Sequence, residues 1–73
     1  MNFEKMAREH WTKYLPEMTR GLKKAGMFEQ EVKTAARYAT EELTALVRNG
    51  AQISAATEIV LNEYIFLPPE TTE

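Results

Sequence analysis

The sequence predicts an all-α protein, a compact bundle of three to four helices. Three observations carry this. Apolar residues recur at spacings of three and four along most of the chain. No stretch alternates apolar and polar residues as a half-buried strand does. Proline and glycine fall between the apolar stripes, Gly21 excepted. Seventy-three residues leave room for one domain, expected over residues 1–68, with 69–73 as a flexible tail. A chain this short builds a small core. Without cysteine it has no disulfide or thiolate metal site to reinforce that core. Tight helix packing or a partner has to supply the rest.

The first helix follows Asn2, a natural N-cap. Phe3, Met6, Ala7, His10, Trp11 and Tyr14 share one face, and Glu4, Lys5, Arg8, Glu9, Thr12 and Lys13 fill the other. Glu4–Arg8 and Glu9–Lys13 are spaced as i,i+4 ion pairs. Leu15-Pro16 breaks the helix, because the residue before proline avoids helical backbone and proline suits the first position of a new helix. A second, short helix is expected from Pro16 to Ala25, with Met18 and Leu22 inward and Gly26 as its stop. One long helix kinked at Pro16 is the alternative.

The third helix is the longest. Phe28, Val32, Ala35, Ala36, Ala39, Leu43, Leu46 and Val47 form one stripe, and Gly50 ends it. A fourth helix is expected from Ser54, as cap, to Tyr64. It poses a packing problem. Ile59, Val60, Leu61, Tyr64, Ile65, Phe66 and Leu67 point in nearly every direction at helical pitch, and one small core does not hold them all. The expected core is Trp11, Met18, Leu22, Phe28, Val32, Ala36, Ala39, Leu43, Leu46, Ile59 and Val60. Leu61, Tyr64, Ile65 and Phe66 are then left to an extended arm, a partner protein or a homodimer. Pro68-Pro69 ends regular structure.

Composition excludes several function classes. The single histidine, His10, lies inside an apolar stripe, and no nucleophile stands beside an oriented base. The three glycines are isolated, so there is no phosphate loop. One His, no Cys and no Asp do not make a metal site. The expectation is a protein without catalytic residues, cofactor or metal. No segment is apolar enough to span a membrane, and no basic-then-apolar leader opens the chain, so a cytoplasmic location is expected.

Charge is uneven. Residues 1–24 carry six bases and three Glu, and residues 25–73 carry three bases and eight Glu. Only the first third has the surplus a nucleic-acid binder needs. There Lys13, Arg20, Lys23 and Lys24 form a small positive patch, the basis for a DNA-associated regulator as the alternative function. The acidic part offers an interaction surface instead. Tyr38 lies off the third helix's core stripe, flanked by Glu31 and Glu42. An aromatic ringed by carboxylates has the composition of a protein-binding spot. Tyr38, Glu31, Glu42, Leu61, Tyr64, Ile65 and Phe66 are therefore the candidate partner-binding residues.

A wider pattern runs through His10-Trp11, Leu15-Pro16, Leu22 with Ala25-Gly26, Ala56-Thr57-Glu58-Ile59-Val60 and Glu63-Tyr64-Ile65-Phe66-Leu67-Pro68-Pro69-Glu70. It resembles small proteins carried by bacteriophages and prophages. Its end is also similar to the C-terminal part of TnpV-type transposon proteins, which are longer at the N-terminus. The motifs are structural, the last being the most distinctive, and no active-site residue carries over. The resemblance implies a mobile-element setting in a bacterial host. It also implies a non-enzymatic protein that binds and inhibits a host protein or complex, in the class of anti-CRISPR and other counter-defence inhibitors.

Overall fold

Two of the breaks anticipated above divide the first half of the chain as expected. The computed structural model describes residues 1–70. Helix α1 spans Phe3–Tyr14, and the Asn2 side chain accepts from the Lys5 amide at 3.0 Å. Leu15 leaves helical backbone ahead of Pro16, so α2 (Pro16–Lys24) is a separate helix and not the continuation of α1. Helix α3 covers Phe28–Arg48 and α4 covers Ile53–Val60. Both α2 and α3 end on a glycine in left-handed backbone, Gly26 at φ 74° and Gly50 at φ 103°. In each case the following amide turns back onto the helix: Met27 to the Leu22 carbonyl, Ala51 to that of Leu46. The Glu4–Arg8 pair forms at 3.6 Å, and Arg8 also donates through Nε and Nη2, side by side, to the two carboxylate oxygens of Glu29 on α3, at 3.0 and 2.8 Å.

The fourth helix departs from expectation. Gln52 precedes it and Ser54 lies within it, so Ser54 does not cap it and no other side chain does. It also stops being α-helical at Val60. Leu61–Ile65 form a π-helical turn, closed by the Phe66 amide on the Leu61 carbonyl at 2.6 Å. The wider turn resolves the packing problem. Ile65 points straight inward and is fully buried, Tyr64 lies against α3, and Phe66 turns toward α1. Ile65 is therefore a core residue and not a partner-binding one. Conversely Ile59, expected in the core, is 46% exposed.

Helix α3 is the spine, about 31 Å long at 1.5 Å per residue, with α1, α4 and the π-turn laid along it. The Cα envelope measures 40 × 27 × 15 Å. Two packed helices, with axes 8–10 Å apart and Cα radii of 2.3 Å, are roughly 13–15 Å thick, so the fold is two helices deep. Its centre is Val32, Val60 and Ile65, with Trp11 set edge-on to Phe28 at 6.4 Å. Ala7, Ala39 and Ala56 have no exposed surface and let the helices approach closely. Leu43, Leu46, Met18 and Leu22 are half-buried at the margin of this cluster. Phe3, Ala7, Leu15, Ala56 and Ile65 complete the core beyond the expected residues.

The segment after the π-turn returns to the α1–α2 junction. Trp11 Nε1 donates to the Ile65 carbonyl at 2.9 Å, and His10 Nε2 lies 2.8 Å from the Leu67 carbonyl. The Glu70 amide donates to the Tyr14 carbonyl at 3.0 Å. The two Glu70 carboxylate oxygens accept from the Glu17 and Met18 amides, at 3.0 and 2.9 Å. Helix α2 has no cap from its own preceding residue, and Glu70 supplies one from the far end of the chain. Within the expected tail, Glu70 is thus a fixed part of the fold; residues 71–73 lie outside the described residues.

Candidate functional site

The long α3 holds Tyr38 on its outer face, and the π-turn delivers Tyr64 beside it. The two ring centroids are 6.1 Å apart, inclined at 46°. Tyr38 is 47% exposed and Tyr64 half-buried. Together with Trp11, Glu31, Glu63 and Leu67 they line an open groove of about 210 Å³. Two sets of residues proposed from separate parts of the sequence, Tyr38 with Glu31 and Glu42 on α3 and Tyr64 on the π-turn, meet here. In an undistorted helix Tyr64 would stand elsewhere on the wheel; the wide turn gives it this position.

The electrostatics are one-sided. Tyr64 Oη donates to Glu42 Oε1 at 3.0 Å. That bond, partial burial and the charges of Glu42 and Glu63 push the Tyr64 phenol up to about 12. The Glu63 carboxyl is held above the usual carboxylate range, first by hydrogen bonding with Glu42 and then by desolvation and the like charge. Among the described residues, the ion pairs join Arg8 to Glu4 and Glu29, and Arg20 to Glu17. None involves Glu31, Glu42 or Glu63. The groove therefore presents aromatic faces and carboxylates without a matching cation, apart from Arg37, whose guanidinium carbon lies 5.3 Å from the Tyr38 ring centroid.

The remaining candidates are placed elsewhere. Leu61 is half-buried against the core and Ile65 is within it. Phe66, 37% exposed, stacks on His10 at 5.1 Å on the α1 side, where His10 also meets Tyr14 at 4.8 Å. The basic residues Lys13, Arg20, Lys23 and Lys24 are all exposed. Arg20 is paired with Glu17, while Lys13 and Lys23 lie over the rings of Tyr14 and Phe28, each at 5.2 Å. Glu63, Trp11 and Leu67 were not foreseen as groove residues. Glu63 adjoins Tyr64 in sequence, and both line the groove, but neighbours on a helix diverge by about 100°, so helical period gives no signal for the pairing.

The arrangement suits recognition of a cation by ring faces and acceptor oxygens. No group of three or more metal-ligating side chains occurs among the described residues, and no helix there is long and apolar enough to cross a membrane. No protein-family model, curated protein or solved structure gives a significant match to the chain.

Proposed function

We propose that this protein acts by stoichiometric protein binding, as a non-enzymatic inhibitor of a host protein. The observation that carries the reading is the meeting of Tyr38 and Tyr64 in one open groove with Glu31 and Glu63, carboxylates that no ion pair of the fold uses. Tyrosine is favoured at binding hot spots because it offers a large rigid contact area and a polar tip. The resemblance to phage and prophage proteins supports a mobile-element setting, with a bacterial defence complex of the kind opposed by anti-CRISPR proteins as the target.

The test is a photo-reactive residue at position 38 of the full chain, used to capture its partner in a bacterial lysate. The captured protein, once purified, should lose activity in proportion to added chain and reach full inhibition at a fixed molar ratio. Loss of activity only at large excess would overturn the reading. The alternative, a DNA-associated regulator, rests on the exposed Lys13, Arg20, Lys23 and Lys24. It requires tight duplex binding that weakens, with a flatter salt dependence, when Lys23 and Lys24 become alanine.

A further inference from the structure

The groove also defines the chemistry of what enters it. Its floor and walls are aromatic and apolar, from Trp11, Tyr38, Tyr64 and Leu67, and its ionised groups, Glu31 and Glu63, are both acidic. Trp11 contributes only its ring, because its N–H is committed to the Ile65 carbonyl. The Tyr64 hydroxyl is committed to Glu42. What remains is the Tyr38 ring, from which a ligand would displace the exposed Arg37 that lies 5.3 Å from its centroid, and carboxylate oxygens. An acidic ligand would meet like charge here, and a wholly apolar one would strand carboxylates under its edge.

We propose that the groove receives an arginine side chain from a basic segment of the partner protein, its guanidinium stacked on Tyr38 and its N–H groups donated to Glu31 and Glu63. This rests on the groove being the binding surface proposed above. Two features of this molecule favour arginine. Arg37 already lies against the Tyr38 ring, so that ring accepts a guanidinium. Glu29, on the same helix as Glu31, accepts from Nε and Nη2 of Arg8 together, the planar fork geometry that lysine lacks. Glu42 and Glu63 crowd each other, which holds the Glu63 carboxyl protonated to higher pH than usual. An incoming cation relieves that crowding.

The experiment is an NMR titration of the isotopically labelled full chain with three peptides: Gly-Arg-Gly repeated three times, the same peptide with lysine, and the same with citrulline, an uncharged isostere of arginine. Shifts should concentrate on Tyr38, Tyr64, Glu31 and Glu63, with arginine tightest and citrulline weakest. Tyr38→Leu keeps every charge and should weaken the arginine peptide about 3-fold. Glu31→Gln with Glu63→Gln should weaken it about 5-fold at low salt. Circular dichroism of both variants checks that the fold persists. Citrulline binding as tightly as arginine overturns the proposal, as do shifts spread evenly over the other glutamates or a Tyr38→Leu variant with unchanged affinity. A partner captured at position 38 through an uncharged segment overturns the arginine assignment alone, leaving the protein-binding reading standing.

Discussion

The two ends of the bundle are built differently. At the α1–α2 junction, five hydrogen bonds tie His10, Trp11, Tyr14, Glu17 and Met18 to residues 65–70. At the other end, where α3 gives way to α4, Ile53 is 66% exposed and Val47 39%, and α4 starts without a side-chain cap. The reason lies in the length of α1. Asn2 and Phe3 share a surface hollow with Ala36 and Thr40, so α1 begins level with the middle of α3. Beyond that level α3 is flanked by α4, and the π-turn reaches it through the bond between Tyr64 and Glu42. A two-helix layer needs a third element to close its apolar edge, and the chain has one at only one end. Order here comes from long-range polar ties at one end, with apolar residues left in water at the other.

Mutations at the two ends should therefore differ sharply. Ile65 has no exposed surface, so Ile65→Ala should cost about 2–5 kcal/mol. A domain of this size has roughly 4–11 kcal/mol in total, and Ile65→Glu should unfold it, seen as loss of helical circular dichroism. Next comes Trp11→Phe, which leaves the buried Ile65 carbonyl without its donor. About 1–3 kcal/mol should be lost in urea denaturation. Glu70→Ala should lower stability by about 0.5–2 kcal/mol, the usual cost of removing an N-cap, and amide exchange should accelerate first at Glu17 and Met18. Ile53→Ser, at the open end, should stay within about 0.5 kcal/mol of wild type. If Ile53→Ser were as damaging as Trp11→Phe, the contrast between the ends would be broken.

The smallest effect at neutral pH is zero, and it appears only in alkali. The Tyr64 phenol is raised to about 12 in the folded chain against 10 when unperturbed. A raised group keeps its proton longer folded than unfolded. Its stabilising contribution is complete below pH 10 and is lost as pH rises toward 12. Ultraviolet titration should find one tyrosine ionising near that value, and Glu42→Gln should bring it down.

Much of this fold was legible in the sequence because its signals are local. Asn2, Pro16, Gly26 and Gly50 each act on backbone within a few residues, and the helices begin and end where they indicate. Phe28, Val32, Ala36 and Ala39 of the α3 stripe are buried as its period implies. What could not be read is the change of pitch at Leu61. Period analysis assumes 100° per residue, and the π-turn violates it over the five residues that carry most of the surplus apolar surface. The same change puts Ile65 inside, whereas Ile59 precedes the turn and is exposed because α4 turns Ala56 and Val60 to the core. For the site, Tyr38 was identifiable as an aromatic off the core stripe, whereas its pairing with Tyr64 and Glu63 depends on that turn. Glu70 looked like tail because a cap supplied from 52 residues away leaves no local pattern.

The bond between Trp11 and the Ile65 carbonyl spans 54 positions, and this sets an order of events during synthesis. At 5–20 residues per second, a ribosome needs roughly 3–11 s to travel from the codon for Trp11 to that for Ile65. Through that interval the indole has no native acceptor, and the α1–α2 junction lacks the segment that closes it. The nascent chain can form helices early, but the closure of the α1–α2 junction waits until residue 65 and the segment after it have emerged.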